Sequence, residues 1–327
     1  DPLRGTLLDP HGGRADLERG LLRHVSPAFA EDPLRVMRAG RFVARYGWRV
    51  DEETAALCRG LDLDELPVER FEREWKEILA EAFPGRGLLA LEACGALRFF
   101  PELAAMRGVP QDPLWHPEGD VLTHTALCLD AAVARREEME DAWVEMLGVL
   151  CHDIGKAGRG TRFERGRWRC PGHDVDGAAL VAPLLARLNT RADVVPQVEA
   201  LVREHLRPAQ LHAARDRVSD AAIRRLSLRV PIEALCRVSW ADAAGRTLPM
   251  EEPWAPEAWL RSRAAALGVE KEALQPFLRG QDLLDRGWPA GPGVGELLEE
   301  AFALQVDGVL EDREAALSWL DRRARVR

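Results

Sequence analysis

From residue 33 onward, apolar positions recur at the helical period of 3.6 residues with few interruptions. The period predicts helices near 33–46, 52–60, 68–83, 86–96, 122–137, 141–153, 174–188, 192–206, 219–229, 232–244, 255–267, 271–279, 295–307 and 312–325. Breaks fall at Pro84-Gly85, Pro110 to Pro117, Gly155 to Gly172, Pro208, Pro249 to Pro256 and Gly287 to Gly293. The first strong helix has its own punctuation: Asp32 as N-cap, Pro33 at the first helical position and Gly47 as the stop. Residues 1–30 read as loop and short strand, with Pro2, Gly5, Pro10, Gly12 and Gly13. Alternating, strand-like segments are nearly absent. The exception is the arginine-rich stretch 160–170, which could form a small hairpin. The expected fold is mainly α, with no internal repeat and no low-complexity tract.

Composition changes this picture little. At 327 residues the chain exceeds the ~250–300 at which single cores split, so two or more packed units are expected. Hydrophobic residues at 46% and charged residues at 30% exclude a disordered chain. No apolar run approaches the ~20 residues that span a bilayer, and the first residues, Asp1 to Gly5, are polar and loop-like, so no membrane partner is expected. Six scattered cysteines without a CxxC pair read as reduced thiols of a cytoplasmic protein. The net charge of −9 does not favour RNA, but residues 1–50 carry nine Arg against six Asp and Glu.

Candidate chemistry concentrates in one pattern: His124, His152-Asp153, His173, His205 and Asp242. Several of these lie on predicted helices, and facing helices of a bundle can aim such side chains at a metal. His with Asp suits a divalent transition metal or Mg²⁺. Ile154-Gly155-Lys156 then ends the helix and offers a cation. This pattern resembles the HD phosphohydrolase superfamily. The resemblance implies that His124, His152, Asp153 and Asp242 hold one metal, Mg, Mn, Ni, Co and Fe being indistinguishable. His173 and His205 would hold a second or orient phosphate. His152, Asp153 and Lys156 would be the catalytic residues, with the metal activating water, and Lys156 and arginines of the 159–169 loop would neutralise phosphate. Some such modules are scaffolds only, and that alternative stays open. Asp120 is read as a helix cap, His116 as structural, and His11, His24 and His212 as surface or packing residues.

A second pattern opens the first helix. Arg35, Arg38, Arg41 and Arg45 share a face opposite Val36, Val43 and Ala44. Asp32 and Arg35, one turn apart, can present acceptors and a planar donor fork to a base edge. The stretch from Glu31 to Trp48, EDPLRVMRAGRFVARYGW, is similar to the EDxxR motif and helix of class II CCA-adding enzymes and bacterial poly(A) polymerases. Asp9-Pro10, Gly12-Gly13, Asp16-Leu17 and Arg23 upstream, ERFEREWKEIL at 69–79, HPEGDVLTHT at 116–125 and GQDLLDRGWPAGPGVGELLEEAF at 280–302 extend the likeness from end to end.

That resemblance implies an elongated, multi-helical neck, body and tail with an embedded HD bundle. It implies a head remnant at 1–30, a neck at 31–110, an HD domain at 111–246 and a tRNA-binding tail at 247–327. Glu31, Asp32, Arg35 and Arg38 would bind CTP or ATP, with tRNA as partner. The family's β-rich head, with a glycine-rich loop and a DxD pair holding Mg²⁺, has no counterpart here. Asp62 and Asp64 lie in a linker. Nucleotidyl transfer is therefore expected to require a head not included in this sequence. A free-standing HD phosphohydrolase and a non-catalytic tRNA-binding body are the alternatives. Oligomeric state and the choice among CCA, CC, A and poly(A) addition stay open.

Overall fold

The computed structural model describes residues 7–64, 66–158 and 160–324. The expected loop at Asp1 to Gly5 and the loop residue Arg159 lie outside them. The chain divides into two compact units, 1–206 with 237–252 and 207–236 with 253–327. This division crosses the boundaries expected from sequence at 110/111 and 246/247. Helices dominate both units, as the periodicity predicts. Among the described residues no helix is long and apolar enough to cross a membrane.

In the first unit, the helix Arg35–Tyr46 buries Val36, Met37, Ala39, Gly40, Val43 and Ala44. Its stop is the expected Gly47, in the left-handed region at φ 69°. Its start differs from expectation. A 3-10 turn, Pro27–Glu31, precedes it, and Asp32 is extended and outside the helix. The Asp32 carboxylate instead accepts from the Leu34 N–H at 3.2 Å, an Asx turn that leads the chain into the helix two residues later. Leu21–Leu22 pairs in parallel with Arg49–Val50 on either side of this helix in sequence. Behind it, Phe71 and Trp75 meet Phe100 edge to face, with centroids 5.7 and 5.3 Å apart.

One charged pair lies inside this core. Arg237 donates to Glu145 through Nε and an outer nitrogen at 2.7 and 2.8 Å, with side chains 5% and 2% exposed. Removing one partner strands the other charge in a low-dielectric interior. Arg237→Ala should therefore cost about 3–5 kcal/mol of stability, read by denaturant unfolding. A cost under about 1 kcal/mol would mean that water reaches Glu145.

The arginine-rich stretch is a hairpin: Arg162–Glu164 pairs antiparallel with Arg167–Arg169. In the second unit, Leu278, Leu283, Ala301, Leu310, Ala316 and Leu320 form a core. The helix expected at 271–279 is absent. Pro276 interrupts the run, and buried Gln305 satisfies its backbone, accepting from Phe277 N–H at 2.9 Å and donating to the Gln275 carbonyl at 2.8 Å. The break expected at Pro208 falls at 205–206, but the short helix that follows it was not expected. Pro208 sits in the first turn of the helix Arg207–Ala213, where its missing N–H costs nothing.

Candidate metal centre

Each side chain of the His/Asp pattern is positioned by a helix or its end. His124 lies in Val121–Ala132, begun by Asp120, whose carboxylate accepts from Thr123 N–H at 2.8 Å as expected. His152 caps Ala142–Cys151, His173 opens His173–Arg187, His205 caps Val195–Glu204, and Asp242 lies in Ile232–Gly245. Asp153 precedes the 3-10 turn Ile154–Ala157. All six are buried.

Two glycines allow these elements to meet. A Cβ on Gly155 would stand 2.1 Å from the His173 carbonyl oxygen and 2.5 Å from Gly177 N. One on Gly245 would stand 2.3 Å from Cys128 Sγ. Hydrogen atoms in their place let the Asp153 turn close onto the His173 helix, and the Asp242 helix onto the His124 helix.

Asp153 is the hub. Its Oδ2 is 2.6 Å from Lys156 Nζ, 3.2 Å from His152 Nε2 and 3.7 Å from His124 Nε2. Its Oδ1 is 3.3 Å from His173 Nε2 and 3.9 Å from His205 Nε2. Asp242 Oδ1 is 3.1 Å from His124 Nε2, and Arg246 donates to both Asp242 oxygens at 2.9 Å.

The rings are oriented from behind. Nδ1 of His152, His173 and His205 donates to the carbonyl three residues earlier, of Val149, Cys170 and Val202, each at 2.7 Å. The carbonyls of Val149 and Val202 are left free at helix C-ends and that of Cys170 lies in the loop before His173; by accepting from Nδ1 they turn each Nε2 toward the centre. His124 Nδ1 donates to Glu118 at 2.7 Å, a carboxylate that also accepts from His116 Nδ1 at 2.9 Å.

Besides Glu118 Oε2 and Arg246 Nε, four buried atoms of the His/Asp cluster itself have no hydrogen-bond partner: His152 Nε2, Asp153 Oδ1, His173 Nε2 and His205 Nε2. Buried polar atoms are nearly always satisfied, so four together fit a bound cation. Charge agrees with geometry. Burial disfavours ionised carboxylates, yet Lys156 and His152 hold Asp153 well below the usual carboxylate range, and Arg246 and His124 do the same for Asp242. Burial likewise disfavours an imidazolium, but the Asp153 charge lifts His152 to about 10. His205, buried beside positive His152, falls to about 4. The two carboxylates thus draw positive charge to the centre, and a divalent cation meets that demand.

A cavity of about 500 Å³ reaches this cluster, lined there by Asp153, Lys156, His173, His205, Asp242 and Arg246. Sequence reasoning missed Glu118, Arg246 and Gln111, which accepts from Lys156 at 2.9 Å. Arg246 had a signal: it stands four residues after Asp242, just past the end of the same helix. Cys128 was missed too, its sulfur 3.4 Å from His124 Nε2.

At the neck, Arg35 and Arg38 line a separate cavity of about 320 Å³ with His24, Phe29 and Phe42, whereas Glu31 and Asp32 do not line it. Arg35 donates to the Ala28 carbonyl, and Asp32 lies 3.5 Å from Arg70.

Residues 121–245 match the HD domain, a span that holds all six buried His and Asp side chains. The chain is 35% identical over 295 residues to a multifunctional CCA protein of Alkalilimnicola ehrlichii, covering 86% of this chain and 70% of that protein. It is 36% identical over 322 residues to one of Leptothrix cholodnii, covering 94% and 72%. Among solved structures it resembles the Bacillus stearothermophilus CCA-adding enzyme in complex with CTP, at 23% identity and a TM-score of 0.56, covering 99% of this chain and 70% of that one. A second CCA-adding enzyme with CTP gives 17% and 0.54, covering 97% and 66%. These two structural likenesses concern the fold. The chain spans about 70% of the length of such relatives.

Proposed function

The chain belongs to the family of multifunctional CCA proteins, and on that premise we propose that it is a tRNA 3′-end processing protein whose HD domain is a divalent-metal phosphohydrolase. The observation that carries the second half is the set of four unpartnered buried ligand atoms on His152, Asp153, His173 and His205. A purely structural bundle would pair or remove them, because each unsatisfied group costs about 1–3 kcal/mol.

His124, His152, Asp153 and Asp242 would hold one cation, with His173 and His205 available to a second or to phosphate. A bound divalent metal supplies Lewis acidity toward a phosphoryl oxygen and makes water a nucleophile near neutral pH. The protein's own groups do the rest. Glu118 and the carbonyls of Val149, Cys170 and Val202 fix the rings. Arg246 keeps Asp242 ionised, and Lys156, tied to Asp153 and Gln111 and lining the cavity, offsets phosphate charge.

Chelation followed by dialysis should abolish hydrolysis of 2′,3′-cyclic nucleotides and phosphomonoesters, and a divalent transition metal or Mg²⁺ should restore it. Hydrolysis that survives chelation in metal-free protein would refute the assignment.

The neck reading is that Glu31, Asp32, Arg35 and Arg38 select CTP and ATP for transfer to tRNA. It is supported by the cavity that Arg35 and Arg38 line. Calorimetry should show that Arg35→Ala weakens CTP and ATP binding about 10-fold or more, the range for loss of a charged hydrogen-bonding group. Equal affinity in the variant would remove Arg35 from the site. A cytoplasmic location accords with six free cysteines.

A further inference from the structure

The cavity over the His/Asp cluster is larger than a phosphate requires, and its lining is of two kinds. Its lining includes the buried carboxylates of Asp153 and Asp242 with Lys156 and Arg246 beside them. It also includes two more exposed indoles from separate elements, Trp115 and Trp168. Trp115 is 52% exposed, unusual for so large a ring next to a polar cleft. Its loop is nonetheless held. The Asp112 carbonyl accepts from Trp115 N–H at 3.0 Å, and the Asp112 carboxylate accepts from Leu114 N–H at 3.0 Å. The same carboxylate is 3.6 Å from Arg167 Nε, which ties the Trp115 loop to the hairpin that carries Trp168. Phe163 packs edge-on against Trp168 from the opposite strand, with centroids 5.3 Å apart, so this ring has a fixed backing. Arg169, exposed on that hairpin, also lines the cavity and has no ion-pair partner among the described residues.

We infer that Trp115 and Trp168 are specificity-determining residues that stack on the base of a nucleotide, so that the HD site prefers phosphate esters carrying a nucleobase over esters without one. The inference rests on the phosphohydrolase reading. The ligand it describes is anionic at one end and flat and aromatic at the other, and a nucleotide has that form. A phosphorylated polyol offers the charged lining a phosphate but the indoles nothing flat to stack on. Indole faces and arginine planes stack on any base, so the preference is for a base as such and is tolerant of which one. About 500 Å³ lies within the range of sites that enclose a small ligand of nucleotide size.

The test compares hydrolysis of adenosine 2′,3′-cyclic phosphate with that of glycerol 1,2-cyclic phosphate, in the metal-loaded full chain and in Trp115→Ala, Trp168→Ala and Trp168→Phe. Stacking is worth about 1–3 kcal/mol per base, so the ratio of kcat/KM for the two esters should fall about 5- to 150-fold in each alanine variant, mostly through KM. Trp168→Phe, which keeps a ring, should restore most of it. Calorimetric binding of adenosine 2′-monophosphate, with inorganic phosphate as the base-free control, gives the same comparison without turnover. If the wild-type chain hydrolyses neither ester, the phosphohydrolase reading fails while this binding measurement still decides the stacking claim. An unchanged ratio in both alanine variants, or an equal loss on both esters, overturns the inference, since a ring that merely holds the hairpin would affect both alike.

Discussion

Asp153→Asn should empty the HD site of metal and lower phosphohydrolase activity by at least about 10²- to 10³-fold, the scale on which single electrostatic groups contribute to catalysis. The Asp153 carboxylate lies within 4 Å of the Nε2 atoms of His124, His152, His173 and His205 and of Lys156 Nζ. The amide keeps its shape but loses the charge that attracts a cation. It also replaces one of the two oxygens that face Lys156 and the histidine Nε2 atoms with an N–H₂ donor. Metal content after dialysis, measured by plasma mass spectrometry, should fall from about one equivalent or more to nearly none. The loss should be specific to the site, because the three Nδ1–H bonds to Val149, Cys170 and Val202 do not involve this carboxylate. A variant that retains full metal content would show that the ligand set is wrong.

Gly155→Ala should damage stability and metal binding together, although residue 155 offers no ligand atom. Its added methyl would meet the His173 carbonyl and Gly177 N, both backbone and neither able to rotate away. The turn must separate from the helix His173–Arg187, which moves Asp153 from His173 and starts at the residue whose Nε2 lies 3.3 Å from the carboxylate. Overpacking of this kind costs about 1–3 kcal/mol or more, and with backbone on both sides the upper end is expected. Gly293→Ala is the control. Nothing lies within 4 Å of its Cβ position, and it stands in the first turn of a helix, so it should be neutral or stabilising by up to about 1 kcal/mol. Thermal unfolding with metal titration distinguishes the two. Equal behaviour of both variants would mean that the close approach at Gly155 is not structural.

Much of this was legible in the chain itself, and the rest failed for identifiable reasons. Long helices such as Val121–Ala132 and Ile232–Gly245 carry enough turns for the helical period to register. Gly13–Glu18, Pro101–Ala104, Arg207–Ala213 and Gly280–Leu284 have seven residues or fewer, about two turns at most, and no period can be read from so little. The stretch 271–279 has helical composition, but its backbone is claimed by Gln305, 28 residues beyond Phe277, and no local rule anticipates that. Asp32 has the chemistry of a cap, yet it stands two residues ahead of the N-cap position, Leu34, and uses its carboxylate on Leu34 N–H. The His/Asp side chains could be singled out because their identities are rare and their order is distinctive. Their supports could not. Glu118 looks like any loop acid until its 2.7 Å contact with His124 is seen, and Gln111 until it meets Lys156.

The most direct measurement is anomalous scattering from crystals of the full chain soaked with Mn²⁺. The account predicts a peak about 2.0–2.3 Å from oxygens of Asp153 and Asp242 and from Nε2 of His124 and His152. A fully ordered site with no peak there, and with water hydrogen-bonded to the Nε2 atoms of His152, His173 and His205, would contradict it.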